Sequence, residues 1–294
     1  MQRLAGHCVL WLFRLLSLTP FCVLYPLSSA AAWLLYHVVG YRRRIVRSNI
    51  ATSFPDKNTT ELRHIERDFY RFFCDYAVET LKTLTMTPST MRRRMRMEGV
   101  ERMEEALQKS GLVFVYLGHY GNWEWISSLP LWTHRPDTHS AQIYRPLNNK
   151  PFDYMFYRLR TRFGAENISK YDTMRHIVRL RRAGRKTIIG FISDQSPARE
   201  SVHDWTHFLN HDTALITGTE RIAKKLGAAI FFADVVRERR GHYTTRFRLI
   251  TDRPTAYPDY RITHTYMTCL EQMIRRTPAL WLWSHNRWKI KREE

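Results

Sequence analysis

The sequence predicts an α/β fold, in which a mixed sheet is flanked by helices and preceded by a hydrophobic anchor helix. Three observations predict it. Short apolar runs, of which Leu112–Leu117 is the clearest, alternate along the chain with segments of helical spacing. Residues 243–250 alternate apolar with polar side chains, as a strand with one exposed face does. Between Arg14 and Arg42 the chain has no Lys, Arg, Asp or Glu.

The uncharged N-terminal stretch covers the 27 residues 15–41. Spanning a bilayer needs only about 20 apolar residues, and the basic cluster at 42–44 would hold the following chain on the cytoplasmic side. We therefore predict a membrane anchor at residues 1–41 and a catalytic domain at residues 42–294.

Two alternatives to a spanning anchor stay open. Pro20 and Pro26 would kink or split a spanning helix, which favours a hairpin that lies in the membrane interface or in the core. The small residues 29–32 resemble the cleavage site of a signal peptide. An uncleaved anchor is preferred over the signal peptide because apolar residues continue beyond this site, through Trp33.

The remaining elements follow from periodicity and from turn and cap residues. Thr59 or Thr60 can cap the first helix after the anchor, and Asn122 is a candidate N-cap for the helix after Leu112–Leu117. The predicted helices cover residues 59–86, 98–109, 122–131, 151–163, 172–183 and 213–226. The predicted strands cover residues 112–117, 139–144, 186–192, 229–236 and 243–250.

Charge restricts the class of partner. The chain has 47 Lys and Arg against 27 Asp and Glu, which gives a net charge of +20. Partners are therefore expected to be acidic: nucleic acid, an anionic lipid surface, a lipid phosphate or an acidic carrier protein. The four cysteines, at positions 8, 22, 74 and 269, have neither metal-ligand spacing nor a close pair, which argues against a zinc site or a disulfide scaffold.

The most informative motif is His119 followed five positions later by Glu124. A regular helix would place these side chains about 140° apart, so they can meet only across a loop. We predict that His119 lies on the loop after strand Leu112–Leu117 and that Glu124 lies in the first turn of the next helix. There the carboxylate would accept one imidazole N–H, leaving the other ring nitrogen free to abstract a proton.

Four further segments accompany this motif in order. They are residues 144–149 with Arg145 and Asn148, residues 191–195 with Asp194 and Gln195, residues 208–220, and residues 281–289 with three tryptophans. Together with the His-x4-acid motif, they resemble the late acyltransferases of bacterial lipid A biosynthesis, of the lauroyl/myristoyl type. The resemblance covers roughly residues 110–290.

This resemblance implies a glycerolipid-acyltransferase-like fold and an enzyme on the cytoplasmic face of the bacterial inner membrane. Such an enzyme moves a fatty acyl chain from acyl carrier protein to a hydroxyl of a lipid A precursor, and needs no metal or organic cofactor. Its expected partners are the carrier protein, the lipid precursor and anionic membrane lipids, and nucleic acid is not among them. One departure is Asn286-Arg287, where the family often has two arginines, so position 286 is given no catalytic part.

The predicted roles at the site follow. His119 is the general base, Glu124 orients it, and backbone N–H groups around residues 121–123 stabilise the oxyanion. The resemblance points to Arg160 as a further site residue.

Other polar residues are expected to bind substrate. Arg145 and Asn148 would hold a lipid phosphate or the phosphopantetheine of the carrier. Asp194 and Gln195 follow an apolar strand, which favours a substrate-side or structural role at the strand end. The tryptophans at 281, 283 and 288 are expected to be packing residues.

Two other classes of protein fit the sequence less well. A nucleic-acid-binding module fits the charge, but the chain has no recognition motif and the uncharged stretch would be unexplained. A serine hydrolase is disfavoured because the sequence has no Gly-x-Ser-x-Gly elbow. If the protein is an acyltransferase, its acceptor can be an amino-acid lipid, a glycolipid or an aryl lipid instead of a lipid A precursor.

Overall fold

A computed structural model describes residues 11–292 of the protein. Within this range the largest sheet has seven strands in the order β1-β9-β8-β2-β5-β3-β4. Five neighbouring strands from β8 to β4 are parallel, whereas β9 runs antiparallel to β8 and pairs in parallel with β1. These strands are β1 (Met95–Glu98), β2 (Leu112–Leu117), β3 (His139–Tyr144), β4 (Glu166–Ser169), β5 (Thr187–Ile192), β8 (Ala229–Arg239) and β9 (His242–Thr251). The predicted mixed α/β sheet is confirmed.

The helices lie between and beside these strands. They are α1 (Phe21–Leu34), α2 (Arg43–Ser53), α3 (Thr59–Lys82), α4 (Pro88–Arg94), α5 (Val100–Ser110), α6 (Lys150–Arg160), α7 (Thr173–Arg182), α8 (Gly218–Leu226) and α9 (Arg261–Arg276). A 3₁₀ helix, Trp123–Leu131, follows β2, and Asn122 caps it as predicted. The glycerolipid-acyltransferase-like fold stays a prediction.

Several predicted boundaries are wrong, each for a local reason. Residues 213 and 214 are not helical, because β7 (His211–Ala214) pairs with β6 (Trp205–Phe208) in a separate hairpin; helix α8 begins only at Gly218. Helix α3 is capped by Asn58 rather than Thr59 or Thr60, since the Asn58 side chain and Glu61 form a reciprocal capping box. Strands β1 and β4 and helices α2, α4 and α9 were not predicted.

The N-terminal helix α1 continues through a π-helical turn, Leu35–Val39, despite Pro26. By length and composition, Phe21–Val39 can cross a membrane. A narrow stripe of this segment, with Leu24, Ser28, Ala32 and Tyr36, is buried against the rest of the protein. The division at residues 41 and 42 stays a prediction, and residues 1–10 of the predicted anchor lie outside the described residues.

Strand β2 positions the site. All six of its residues are buried, since it lies between β8 and β5 in the middle of the sheet. A run without polar residues is what a strand covered on both faces requires. The loops after β2, β5 and β3 therefore leave the sheet at one edge, the carboxyl edge, where open α/β sheets bind their ligands.

Candidate active site

His119 and Asp194 meet at the carboxyl edge of the sheet. Leu117 of β2 is paired with Ile192 of β5, and each polar residue follows two positions after its strand ends. The imidazole Nδ1 of His119 lies 2.6 Å from Oδ1 of Asp194, and the backbone N–H of His119 donates to Oδ2 at 2.8 Å. The partner of the imidazole is thus fixed by strand order and register.

The protonation state of this pair follows from its surroundings. Burial would raise the pKa of Asp194, but the imidazole of His119 and three hydrogen bonds lower it to about 2. The ionised carboxylate can only accept, so Nδ1 of His119 carries the hydrogen. A neutral ring then has its lone pair on Nε2, where a substrate hydroxyl would have to replace the Gln195 amide as the donor. The Gln195 amide nitrogen lies 3.3 Å from Nε2 and donates to it.

The third donor to Asp194 is Trp281, whose indole N–H donates to Oδ2 at 2.8 Å. Trp281 reaches the site because the segment after α9 pairs with the loop after β2, through a bridge between Tyr120 and Trp281. Trp281, Trp283 and Trp288 are buried, as expected of packing residues. The role of Trp281 at Asp194 was missed, since no local pattern brings it there.

Glu124 has a different partner from the one predicted. Its two carboxylate oxygens accept from Nε and Nη2 of Arg160, at 2.8 Å and 2.6 Å. Burial opposes the charge of Arg160, but the Glu124 carboxylate outweighs this effect and raises the pKa of Arg160. The predicted contact between Glu124 and His119 is therefore wrong: Asp194 orients the imidazole. The catalytic roles of His119 and Glu124 stay predictions.

Aromatic side chains connect the loop that carries His119 to helix α3. The ring of Trp123 lies edge-on to His119, with centroids 5.2 Å apart, and stacks on Tyr76 of α3 at 3.9 Å. One turn further along α3, Glu79 accepts from the Asn122 side chain at 2.9 Å and from Tyr243 at 3.0 Å. The loop that carries His119 is thereby fixed to α3.

A cavity of about 380 Å³ opens beside both pairs. Its polar end contains His119, Glu124, Arg160 and Gln195. Its walls are mostly aliphatic and come from β2, β3, β5 and the 3₁₀ helix: Val115, Leu117, Ile126, Leu129, Ala141, Ile143, Ile188 and Ile192. A cavity with a reactive polar end and apolar walls is suited to a ligand that has a polar group on a hydrocarbon chain.

The other predicted substrate residues are only partly brought together. Arg145 is exposed at the end of β3 and lines the cavity, as Gln195 does. Asn148 is exposed in the following loop and is not among the lining residues. Asp194 is 2% exposed and lies behind His119 rather than facing a substrate.

Two glycines allow the loop after β2 to pass through the core. A Cβ on Gly118 would lie 2.6 Å from Leu270, and Gly121 has a φ of +58° beside Val235. The N–H of Gly121 donates to the Leu280 carbonyl at 2.9 Å. This group is therefore not free to stabilise an oxyanion, so the prediction is wrong at Gly121 and stays a prediction for residues 122 and 123.

Two further ionisable residues near Asp194 were missed. Burial lowers the pKa of His285 to about 4, and its Nε2 accepts from the Ser196 N–H at 3.2 Å. Burial also lowers the pKa of Arg287 to about 10, and its side chain donates to the Ala214 carbonyl. The segment 281–289 contained both, but only the packing of the sheet brings them to this edge.

Comparison with known proteins assigns the family. Two relatives, the lipid A biosynthesis palmitoleoyltransferase of Escherichia coli (strain K12) and the lipid A biosynthesis acyltransferase of Shigella flexneri, are each 26% identical to this chain over 288 residues. The alignments cover 97% of this chain and 90% of each relative. The profile of the bacterial lipid A biosynthesis acyltransferases matches residues 3–290. The chain therefore belongs to the bacterial lipid A biosynthesis acyltransferase family.

Proposed function

We propose that this lipid A acyltransferase takes a fatty acyl chain from the thioester of acyl carrier protein and transfers it to a hydroxyl of a lipid A precursor. The reaction takes place at the cytoplasmic face of the bacterial inner membrane, where the basic protein meets anionic lipids. Family membership supports the acceptor class. The net charge of +20 is consistent with an acidic donor protein and an anionic surface.

The single observation that supports this chemistry is the Asp194–His119 pair at the polar end of the cavity. His119 Nε2 takes the proton of the acceptor hydroxyl as the oxygen attacks the thioester carbonyl carbon. The tetrahedral intermediate collapses, the C–S bond breaks, and the imidazolium returns its proton to the sulfur. The products are an ester and the free thiol. Asp194 stabilises the imidazolium that forms and fixes its tautomer.

Glu124 acts in this proposal through Arg160. The bidentate ion pair holds the guanidinium at the cavity, where its outward N–H groups can bind the substrate's phosphate or polarised carbonyl oxygen. Arg145, at the same cavity, binds an anionic group of a substrate. Asn148, exposed in the loop after β3, would contact this anionic group only outside the cavity.

The aliphatic walls hold the acyl chain of the donor. Gly190 contributes to this space, because a Cβ there would lie 3.0 Å from Cδ1 of Leu117 and 3.8 Å from Cβ of Gln142. The proposed reaction exchanges a thioester for an ester and moves one proton from the hydroxyl through His119 to the sulfur, so it balances without a metal or an organic cofactor.

The test is His119→Ala in purified protein, with acyl carrier protein carrying a fatty acyl thioester as donor and a lipid A precursor as acceptor. We expect turnover to fall by about 10²–10⁴-fold, the range of positioned proton transfer. His64→Ala, at an exposed histidine of α3, is the matched control and should retain activity. Near-normal turnover of folded His119→Ala would exclude His119 as the base.

Mass spectrometry of lipid A from cells that lack the protein tests the acceptor. Loss of one secondary acyl chain is expected, with recovery on expression of the wild type but not of His119→Ala. An unchanged lipid A profile, together with active enzyme in vitro, would overturn the acceptor and leave the catalytic proposal standing.

A further inference from the structure

We infer that the apolar N-terminal segment lies in the plane of the membrane surface and does not cross the bilayer. The inference rests on the membrane contact of the proposed function and concerns how that contact is made. It follows from what the segment Phe21–Val39 touches along its length.

Helix α1 lies antiparallel to α3, side by side. Tyr25 hydrogen-bonds to Glu79, Ser28 donates to Asp75 at 2.6 Å, and the ring of Tyr36 packs on Tyr70. The partner helix α3 is charged on its outer face, with Arg63, Arg67 and Arg71 exposed. If α1 crossed the bilayer, this face of α3 would lie at the depth of the hydrocarbon.

Cations also contact α1 at successive positions. The guanidinium of Arg94 lies 3.6 Å from the ring centroid of Phe21, and Arg240 donates to the Tyr25 carbonyl and the Ser29 hydroxyl, each at 3.0 Å. Arg43 lies 4.2 Å from the ring centroid of Tyr36.

From Phe21 to Tyr36 the helix advances about 22 Å, most of the thickness of the hydrocarbon layer. A spanning orientation would distribute these cations through that layer, where charged side chains are strongly disfavoured. An in-plane orientation places all of them at the level of the lipid headgroups.

The opposite side of α1 has the composition that lipid contact requires. Its exposed residues include Val23, Leu27, Leu34 and Val38, which are 47–65% exposed. A helix with one face on the protein and an apolar face outside inserts to the depth of the headgroup and acyl boundary. The buried stripe is polar at Ser28, whereas the four outer positions named above are all aliphatic, so the two faces are not interchangeable.

The occupant of this surface is an anionic bilayer, because arginines border the helix. Arg239, the last residue of β8, lines two concavities beside it. One of these, of about 520 Å³, is lined by five arginines, one histidine and one threonine: Thr90, Arg92, Arg93, Arg94, Arg96, Arg239 and His242. Among the residues that the structure describes, no carboxylate lines this concavity. Lipid phosphates complement such a surface.

The depth of the outer face in the bilayer tests the inference. Spin labels are attached to single cysteines introduced as Val23→Cys, Leu27→Cys, Leu34→Cys and Val38→Cys, in a full-length background whose native cysteines are replaced by serine. The proteins are reconstituted in vesicles of phosphatidylethanolamine and phosphatidylglycerol, and depth is read from relaxation by oxygen and by a water-soluble nickel complex. An in-plane helix gives the four labels one common, shallow depth.

A spanning helix would give shallow labels at positions 23 and 38 and deep labels at positions 27 and 34, and this result would overturn the in-plane orientation. Labels that stay fully accessible to nickel at all four positions would instead overturn the membrane contact itself. Acyl transfer by the same four proteins is measured in parallel, so that failure of the proposed chemistry is seen separately.

Charge reversal tests the anionic occupant. Arg239→Glu should weaken partitioning into phosphatidylglycerol-containing vesicles by about 5-fold to 30-fold and leave partitioning into phosphatidylcholine vesicles unchanged. Arg175→Glu, at a highly exposed arginine of α7, makes the same change of charge elsewhere and should have little effect. Equal losses of partitioning in the two variants would show that only net charge matters, and would exclude a specific role for the arginines beside α1.

Discussion

Two buried carboxylates near the cavity bind different kinds of basic side chain. Asp194 is bound to an imidazole that can give up its proton, whereas Glu124 is bound to the permanently charged guanidinium of Arg160. Both are almost fully buried. The difference is that Asp194 can support a proton transfer, while Glu124 can only fix a positive charge in place. In the proposed mechanism Asp194 orients the base, whereas Glu124 holds a substrate-binding arginine. The positions of the two carboxylates in the fold, rather than their residue types, cause this difference.

The largest effect is expected from Asp194→Asn. Without the negative charge, the imidazolium that forms in the reaction is not stabilised and the ring tautomer is not fixed. We expect kcat to fall by about 10²–10⁴-fold, as in His119→Ala, with little change in KM. Steady-state kinetics checks this. A fall of less than tenfold, in a protein with wild-type circular dichroism, would contradict the assignment of Asp194 to His119.

A smaller effect is expected from Glu124→Gln, and of a different kind. The variant leaves the charge of Arg160 buried without its partner, so we expect a loss of about 2–4 kcal/mol in stability and a rise in KM. The double variant Glu124→Gln with Arg160→Gln should recover part of the stability, with a coupling of about 1–3 kcal/mol. An unchanged KM with kcat as low as in Asp194→Asn would show that Glu124 acts on His119 after all.

A third buried carboxylate, Glu79, extends the comparison, because its hydrogen-bond donors are the uncharged Asn122, Tyr243 and Tyr25. Burial raises the pKa of Glu79 to about 7. Since the folded-state pKa lies above the unfolded value, its contribution to stability is complete below about pH 4.5 and is lost as pH rises through about 7.

We therefore expect the unfolding free energy of the wild type to fall, relative to Glu79→Gln, by roughly 3 kcal/mol between about pH 4.5 and 7. Thermal unfolding of both proteins across this range checks the prediction. Parallel pH dependences would mean that Glu79 stays ionised or protonated throughout. Asp194, whose pKa is lowered to about 2, has the opposite pH dependence: its contribution to stability is present above about pH 4 and is lost only in strongly acidic solution.

The smallest effect is expected from Trp281→Phe. A smaller aromatic ring is kept and the indole N–H is lost, so Asp194 has one hydrogen bond fewer and its negative charge is less stabilised. We expect an approximately tenfold fall in kcat, close to the contribution of one hydrogen bond to a charged group. Trp283→Phe is the control, since its N–H donates to the Pro278 carbonyl instead. Similar kinetics for both variants would assign Trp281 to packing alone.

Local patterns predicted five strands of the large sheet, β2, β3, β5, β8 and β9, and the position of His119. The apolar run Leu112–Leu117 could only be a buried strand, and this fixed His119 at its carboxyl end. The same reasoning placed Asp194 at the end of β5. Hairpin β6–β7 was missed, because pairing with a neighbouring strand overrides the helical appearance of residues 213 and 214.

The partners of the site residues could not be predicted in the same way. Asp194 meets His119 because β2 and β5 are neighbours in register, and strand order is not contained in any local segment. Glu124 was expected to contact His119 on the strength of their short separation. In the structure Glu124 instead binds Arg160, the last residue of α6. Trp281 lies beside Asp194 because its backbone pairs with that of Tyr120.

The hydrogen bonds around Asp194 join residues 75 and 87 positions apart in the chain. Contacts of such separation require closure of long loops and form late in folding. During refolding, secondary structure should therefore return before turnover does. Recovered enzyme activity therefore reports on the final stage of folding. A partly folded chain at the membrane would lack acyl-transfer activity, rather than transfer acyl chains to the wrong acceptor.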